Sequence, residues 1–369
     1  MLYFFDFIFD HTKKSKHTFV VGVDEVANCT LFFKKAFEDE AISVNFKQNK
    51  FYQKNKYDYS LDIKNKYFLY LVRIFYGPYL LAKLANESEV FVYFWWTGFC
   101  LDRELDYKFL KYKKKKIVCI FVGDDIRSRK LLKQKCLIDK NDSYVFYDNY
   151  DIADNENRVR RVADLADTYA DLVFSLKKSQ VSYLKKSIDI FMYMIDDDIL
   201  NNSQFELSKK ATIKVVHAPS NPVLKGTPLV KAAIKKLEVE GYDFEYIELQ
   251  NTSNEEVLKI LNEGHIVLNQ FYAGMPGVFG IEAMASHTAV LMSADYENLP
   301  HGSENAWMRT KYWELYDNLK YFLDNPSKIK EYADTGYEFV KNNYTEEKVR
   351  EFYINTFYGH NIIDDKSIF

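Results

Sequence analysis

Two segments in the second half of the chain place a charged side chain where a helix is expected to begin. In the first, Lys225 and Gly226 follow an apolar run that ends near His217, and Thr227 is the expected N-cap of the next helix. A helix N-terminus offers unpaired N–H groups and a positive partial charge, and both favour anions. Because a lysine ammonium adds to this charge, the segment suits a diphosphate group. An isolated Lys-Gly pair, by contrast, is more often a surface turn.

The second segment repeats this arrangement after another strand pattern. Asn269 ends an apolar run, and Gly274, Gly277 and Gly280 follow before an Ala- and Met-rich helical pattern. Glu282 is expected in the first turn of that helix, where the dipole stabilises a carboxylate that can accept hydrogen bonds from sugar hydroxyls. Taken alone, Glu282 fits equally well as a helix-favouring acidic residue without a ligand.

Strand and helix patterns alternate along the chain, which is typical of α/β proteins. In the first half, short apolar runs predict strands at residues 19–23, 90–94, 117–122 and 172–175. After a polar stretch at residues 200–204, further strands are predicted at residues 213–218, 244–249, 266–268 and 289–292. We therefore predict two doubly wound, Rossmann-like domains, with ligands at the carboxyl ends of their strands.

These motifs resemble the donor domain of family 4 retaining glycosyltransferases, which have the GT-B fold. The resemblance rests on Lys225-Gly-Thr and on Gly280-Ile-Glu-Ala-Met-Ala285. In the first half, Phe94-Trp-Trp-Thr-Gly98 and Gly123-Asp-Asp-Ile-Arg127 resemble the acceptor domain of a bacterial subgroup. The resemblance covers about residues 90 to 358. It implies two facing domains, an acceptor domain at 1–205 and a donor domain at 206–342, with a C-terminal helix in 343–369 that crosses back to the first.

The resemblance also implies roles for individual positions. Lys225 would hold the donor diphosphate and stabilise charge on the leaving group, and Glu282 would bind the ribose of the nucleotide. The nucleotide sugar would further contact Ser220, Gly226, Thr227, Gly277, Val278 and Phe279. The acceptor, a glycan or a lipid-linked molecule, would enter beside Trp95, Gly98, Asp125 and Arg127. Neither a metal ion nor a separate cofactor is expected, because GT-B sites rely on lysine and helix dipoles.

Two departures from the family pattern bear on activity. Ser220 stands five residues before Lys225, where the common pattern has an arginine, and Gly274 stands where a first glutamate is usual. Loss of the arginine removes a cation from the diphosphate site unless Lys214 or another base substitutes. The main hypothesis is a hexosyltransferase for bacterial surface polysaccharides or glycoconjugates. A non-catalytic GT-B subunit that binds a nucleotide sugar or a partner enzyme stays open as the alternative.

Composition limits the remaining classes of function. A formal net charge of -3 and a pI near 6.2 argue against a general nucleic-acid binder. The four cysteines show no C-x-x-C spacing, so we expect neither disulfides nor a zinc site. The cysteines are therefore expected to be in the reducing environment of the cytoplasm. A nucleotide-sugar epimerase needs acid and base groups from both domains. It is disfavoured because the first half holds only His11 and His17, and both precede the first core strand.

Two features raise the question of a peripheral contact with the inner face of the membrane. The apolar start, Met1–Phe9, lacks the features of a signal peptide, and an edge strand is favoured over an interfacial aromatic anchor. Lys108 and Lys111–Lys116 form the strongest basic cluster, for which a solvated helix end is favoured over a contact with anionic lipid.

Asp196–Asp198 is predicted to be a solvated acidic turn rather than a metal site.

Overall fold

The protein folds into two compact α/β units. The first comprises residues 1–135, 151–191 and 350–369, and the second comprises residues 136–150 and 192–349. Each unit is built on one parallel sheet. The computed structural model describes residues 2–9, 16–47, 56–138, 152–176, 180–189, 193–205, 212–296, 299 and 302–365.

The sheet of the first unit has seven described strands in the order β3-β2-β1-β4-β5-β6-β7. They are β1 (His17–Gly22), β2 (Ala41–Lys47), β3 (Tyr59–Ile63), β4 (Ser88–Phe94), β5 (Lys116–Ile120), β6 (Leu172–Ser175) and β7 (Ile188–Asp189). The strand order reverses between β1 and β4. In an open parallel sheet, the carboxyl ends of such a strand pair flank a crevice where ligands bind.

Six α-helices are described between residues 2 and 169. They are α1 (Leu2–Ile8), α2 (Cys29–Phe37), α3 (Lys66–Ala85), α4 (Arg103–Tyr112), α5 (Arg129–Ile138) and α6 (Ile152–Tyr169). The edge strand expected at Met1–Phe9 is wrong, since this segment forms α1. Its Phe5 and Phe9 recur at helical spacing, and their rings each lie 5.6 Å from the ring of Tyr79 in α3.

The sequence did not predict β2, because buried polar residues interrupt its apolar pattern. Ser43 and Asn45 are buried in this strand, and both are hydrogen-bonded. The Ser43 hydroxyl lies 2.8 Å from a carboxylate oxygen of Asp58, and the side-chain oxygen of Asn45 accepts from the amide of Glu25 at 3.1 Å. These bonds offset the cost of burial, so a strand forms where hydrophobicity alone gives a weak signal.

The second unit has five described strands in the order β12-β11-β10-β8-β9. They are β8 (Ile213–His217), β9 (Phe244–Glu248), β10 (Ile266–Leu268), β11 (Ala289–Met292) and β12 (Met308–Arg309). The strand order reverses between β8 and β10. The helices that accompany them are α7 (Asp197–Asn202), α8 (Pro222–Lys225), α9 (Thr227–Val239), α10 (Asn254–Leu261), α11 (Gly277–Ala285), α12 (Leu315–Asp324) and α13 (Pro326–Asn343).

The last helix, α14 (Glu346–Gly359), contributes to the core of the first unit, which includes residues from Arg350 onward. The ring of Phe357 lies 5.6 Å from Phe19 of β1, 6.3 Å from Phe33 and 6.5 Å from Phe37 of α2. This aromatic cluster covers the face of the first sheet on which α2 packs.

α3 lies unusually close to the loop that follows β4. A Cβ atom built on Gly77 would lie 2.0 Å from the carbonyl oxygen of Phe99. We expect Gly77→Ala to lower the free energy of unfolding by about 1–3 kcal/mol, since backbone must move to admit the methyl group. Urea unfolding measures this change.

Gly359→Ala is the matched control, because Gly359 also lies in a helix but has no neighbouring atom within 4 Å of its added Cβ. The control should be neutral or stabilising by up to about 1 kcal/mol, through lower backbone entropy in the unfolded chain. Equal stabilities for the two variants would contradict the close packing at Gly77.

Candidate functional site

The carboxyl ends of β8 and β10 bring the two predicted donor segments together. β8 leads into α8, which ends at Lys225, and β10 leads through Gln270 to α11. The two strands are neighbours in the parallel sheet, so the residues that follow them meet at one edge. The Lys225 ammonium donates to the side-chain oxygen of Gln270, and the Gln270 amide donates to the carbonyl of Met275. Gln270 therefore links Lys225 to the loop that precedes α11.

Gln270 is the site residue that sequence reasoning missed. It is buried, and its backbone carbonyl accepts from the amide of Ser293 at 3.0 Å, which fixes the loop after β10 to the loop after β11. An amide side chain offers both a donor and an acceptor, so it can face a cation and a carbonyl at once. The available signal was a polar residue next to the end of a fully apolar strand, a position where ligands bind in parallel sheets.

A buried histidine holds the turn between β8 and α9. His217 lies 2.7 Å from the carbonyl oxygen of Leu268 through Nδ1, and 2.8 Å from the Thr227 hydroxyl through Nε2. Burial lowers the pKa of His217, which favours the neutral ring. In that state Nδ1–H donates to Leu268 and Nε2 accepts from Thr227.

The expectation that Thr227 caps α9 is wrong. Gly226 is the N-cap residue, with φ of 79°, and Thr227 is the first helical residue. Because the Thr227 hydroxyl is engaged by His217, it does not cap the helix. The left-handed conformation at Gly226 is one that glycine adopts without strain, and it turns the chain directly after Lys225. Ser220, five residues earlier, is exposed in the loop before α8.

The start of α11 presents backbone N–H groups without a side-chain cap. Its N-cap residue is Pro276, which makes no side-chain cap hydrogen bond, and Gly277, Val278 and Phe279 form the first turn. Gly280 follows in close contact with the residue after β10, since an added Cβ would lie 2.5 Å from the side-chain nitrogen of Asn269. The helix start therefore offers the positive dipole end and free donors that an anion requires.

Glu282 lies in the second turn of α11 rather than in the first, because the helix begins at Gly277. The carboxylate is buried, and it accepts from the Tyr193 hydroxyl at 3.2 Å and from the Asn254 amide at 2.9 Å. Burial raises the pKa of Glu282 to about 7. Burial and two neutral donors, rather than the helix dipole, therefore dominate its environment, and Tyr193 and Asn254 are partners that the sequence did not reveal.

Lys214 does not replace the missing arginine of the donor pattern. It lies near the amino end of β8, and its ammonium pairs with Glu263 at 2.9 Å. Two other cations lie at the carboxyl end of β12, the edge strand beside β11: Arg309 is its last residue and Lys311 follows it. Arg309 and Lys311 pair with Asp295 at 3.1 and 3.5 Å, and the Asp295 amide donates to the carbonyl of Gly274 at 3.2 Å.

In the first unit, a cavity of about 240 Å³ borders the loop after β4. Its lining combines an indole, apolar side chains and charged groups of both signs: Arg73, Trp96, Thr97, Gly98, Leu101, Asp102, Arg103, Tyr107, Arg158, Arg161, Val162 and Leu165. The Arg158 guanidinium lies 5.3 Å from the centre of the Trp96 ring. The hydroxyl of Thr97 and Nε of Arg73 are buried without a hydrogen-bond partner. Such a lining suits a hydroxylated ligand that stacks on an aromatic face.

Of the four predicted acceptor residues, Gly98 lines this cavity, whereas Trp95, Asp125 and Arg127 lie in the loops after β4 and β5 outside its lining. At Gly98, an added Cβ would lie 2.5 Å from a carboxylate oxygen of Asp106. The Trp95 carbonyl accepts from Arg103 at 2.7 Å, and the Arg127 guanidinium pairs with Asp124. These contacts position the loops after β4 and β5.

Asp125 is fully buried in the loop after β5. Its carboxylate accepts from the amides of Val122, Gly123 and Ile126 at 3.1, 2.8 and 3.1 Å. Burial raises its pKa to about 6. The Gln180 side-chain amide also donates to this carboxylate at 3.3 Å, so Asp125 holds its own loop and links it to Gln180.

Within the described part of the chain, no group of three or more His, Cys, Asp or Glu side chains is arranged to hold a metal ion. Asp196 is the N-cap of α7, and its side chain accepts from the amide of Asp198 at 3.1 Å. The acidic run therefore begins a helix.

No protein-family model matches the sequence, and no curated protein matches it either. Solved structures do match. Sucrose-phosphate synthase from Thermosynechococcus elongatus is 12% identical, with a TM-score of 0.54 over 93% of this chain and 100% of that one. An α-glucosyltransferase in complex with UDP-glucose and DNA containing an abasic site is 11% identical, with a TM-score of 0.59 over 93% of this chain and 99% of that one.

A third similar structure is a mutant of TarM from S. aureus in complex with fondaparinux, α-GlcNAc-glycerol and UDP. It is 13% identical, with a TM-score of 0.51 over 76% of this chain and 57% of that one, so this chain matches just over half of its length. At these identities the likeness shows the fold. The chain has the GT-B fold, with two Rossmann-like units, and the predicted fold class is confirmed.

Proposed function

We propose that this protein is a glycosyltransferase that binds a UDP-sugar through its second unit and transfers the sugar to a glycan acceptor. The observation that carries the proposal is the link between Lys225 and the loop before α11 through Gln270, at the carboxyl ends of β8 and β10. A cation and a helix N-terminus at one point form a diphosphate site. Two of the three similar structures named above were solved with UDP or UDP-glucose, which supports uridine as the nucleoside.

In the proposed mechanism, Lys225 exchanges its bond to Gln270 for the donor diphosphate. The N–H groups of Val278 and Phe279 approach the phosphates or the sugar. As the bond between sugar and phosphate breaks, negative charge grows on the leaving diphosphate. A fixed ammonium and a fixed dipole stabilise that charge without reorganising. Arg309 and Lys311 at the same edge supply positive charge in place of the arginine that Ser220 replaces.

Glu282 is proposed to bind the ribose of the nucleotide. As a carboxylate it accepts hydrogen bonds from hydroxyl groups, and its present donors, Tyr193 and Asn254, are neutral. Ribose hydroxyls can therefore join or replace them without displacing a charge. Nucleotide binding should favour the ionised form of this buried carboxyl.

The acceptor is proposed to bind in the cavity beside Trp96 and Thr97, where a sugar ring can stack on the indole and bond to the buried hydroxyl. The described residues that line the cavity include no histidine. A retaining, metal-independent transfer of the family 4 type is proposed from the sequence resemblance. In such a transfer the departing diphosphate accepts the acceptor's proton. Transfer of a hexosyl group to a bacterial surface glycan or lipid-linked oligosaccharide in the cytoplasm is the setting that the sequence resemblance favours.

A non-catalytic role is the second candidate, and Ser220 is the observation that favours it. Without the usual arginine, the site could bind a nucleotide sugar and still stabilise the leaving group too weakly for turnover. Transfer assays of the protein alone and with partner enzymes distinguish the two candidates.

We expect Lys225→Ala to lower the rate of sugar transfer about a hundredfold, since one preorganised charge at the leaving group is lost. Its affinity for UDP should fall about tenfold, as expected for one charge-assisted hydrogen bond. Transfer is measured with radiolabelled UDP-sugars, and UDP binding by calorimetry. Lys235→Ala removes an exposed lysine from α9 and is the matched control. Full turnover in Lys225→Ala would rule out the donor site.

Glu282→Gln separates a stability effect from a binding effect. The pKa of Glu282 is about 7 in the folded protein and 4.5 ordinarily, so between these values the folded state retains a proton that the unfolded state has lost. Wild-type stability should therefore fall as pH rises from 4.5 to 7. Relative to wild type, Glu282→Gln should gain up to about 3 kcal/mol across this window. Urea unfolding along a pH series measures the difference.

The same variant should bind UDP about tenfold more weakly at pH 8, because a neutral amide is a poorer acceptor than a carboxylate. Glu256→Gln, at an exposed position of α10, is the control for both measurements. A Glu282→Gln protein whose stability follows pH as wild type does would show that Glu282 ionises normally. Unchanged UDP affinity would remove the ribose contact from the proposal.

A further inference from the structure

Two helices of the first unit turn large apolar side chains toward solvent. On α1, Tyr3, Phe4, Phe7 and Ile8 are between 58% and 88% exposed. On the first half of α3, Tyr67, Leu71 and Phe75 are between 52% and 70% exposed. Aromatic and aliphatic side chains of this size are normally buried, and a contiguous group of them marks an interaction surface. The exposed faces of α1 and of the first half of α3 are called the platform below.

The platform is continuous with the packing between the two helices. Tyr67, Leu71 and Phe75 share one face of α3 because they recur every four residues. Pro78 and Ala82 continue this face, and both are buried. α1 packs against that second half of α3, through the ring contacts to Tyr79 and through Asp6, which accepts from Asn86 at 3.2 Å. The buried second half of this α3 face is therefore continuous with its exposed first half.

Charge on and around the platform favours an anionic partner. The two helices contain one acidic residue, Asp6, which is buried and pairs with Lys113 at 2.9 Å. Lys66 at the start of α3 is exposed, as are Lys64 before it and Lys114 next to the Asp6 partner Lys113. The exposed acids before α3 are Asp62 and Asp58, and Asp58 pairs with Lys34 at 3.8 Å. The net charge around the platform is therefore positive, and α1 and α3 themselves expose no acidic side chain.

The basic cluster noted in the sequence contributes little to this balance. Four of its lysines are paired with carboxylates: Lys108 with Glu104, Lys111 with Asp171, Lys113 with Asp6 and Lys115 with Glu89. The apolar helices, and not this cluster, are the feature that needs a partner.

We propose that the platform docks on an anionic lipid bilayer and lies in its interface. Tyrosine and phenylalanine suit the boundary between head groups and acyl chains, and flanking lysines attract anionic head groups. α3 is long and apolar enough to cross a membrane, but 44% of that stretch is buried in the protein. It also connects β3 to β4, which belong to the same sheet. A spanning α3 would separate those strands, so the helix rests on the membrane surface.

Arg73 lies two residues from both Leu71 and Phe75, on the opposite face of α3, and lines the cavity of the first unit. The platform and the cavity therefore use different faces of the helix. Membrane docking itself does not depend on the proposed sugar transfer.

Flotation of the full-length protein with vesicles tests the proposal. We expect binding to vesicles of equal parts phosphatidylglycerol and phosphatidylcholine, and much weaker binding to phosphatidylcholine alone. The triple variant Phe4→Ser, Phe7→Ser, Phe75→Ser should bind the anionic vesicles at least about tenfold more weakly, since it removes apolar area that enters the interface. High salt should weaken wild-type binding without abolishing it, because only the lysine contribution is screened.

The control variant, Val239→Ser with Trp313→Ser, removes exposed apolar side chains from the second unit and should bind vesicles as wild type does. Circular dichroism and UDP binding should be unchanged in the triple variant, which separates docking from folding and from the donor site. Unchanged vesicle binding by the triple variant, or none by wild type, would overturn the proposal. So would a lipid-free dimer that the triple variant dissociates, because a second copy would then cover the platform.

Discussion

The candidate donor site depends on the position of Lys225 relative to the start of α11. A lysine ammonium on a flexible stem has no fixed place unless a partner holds it, and here Gln270 is that partner. The same glutamine is anchored through its amide to Met275 and through its carbonyl to Ser293. One buried amide thus fixes the cation against the helix dipole before any ligand binds.

A second layer of buried contacts supports this arrangement. His217, whose pKa is lowered by burial, contacts the Thr227 hydroxyl and the carbonyl of Leu268. Its two bonds join the start of α9 to the end of β10. Gly280 lets α11 approach Asn269 closely on the other side. The loops around the site are therefore held by the sheet edge, which limits the reorganisation needed when charge develops.

Many strands of the fold could be predicted from the sequence, and the predictions that were missing or wrong have physical reasons. The apolar runs of β10 and β11 were predicted with their observed limits, because strands buried on both faces leave an unbroken signal. β2 was not predicted because Ser43 and Asn45 are satisfied only by partners that the fold supplies. The predicted cap of α9 was wrong for the same reason, since Thr227 is engaged by a histidine ten residues earlier.

The residues of the candidate donor site could also be predicted only in part. Lys225 and Glu282 stand out by type and spacing, yet Gln270, Tyr193 and Asn254 carry no motif, and only the folded chain brings them to the site. The apolar start of the chain was ambiguous between strand and helix because so short a segment has no clear period. Its exposed side chains became informative only once α1 was seen beside α3.

The most direct test of the central claim is a crystal structure of the full chain with UDP bound. The account predicts a diphosphate oxygen within about 3 Å of the Lys225 ammonium, with Gln270 released from it and the phosphates at the start of α11. The uridine ribose should lie beside Glu282. A UDP molecule bound elsewhere, with the bond between Lys225 and Gln270 intact, would contradict the assignment of the donor site.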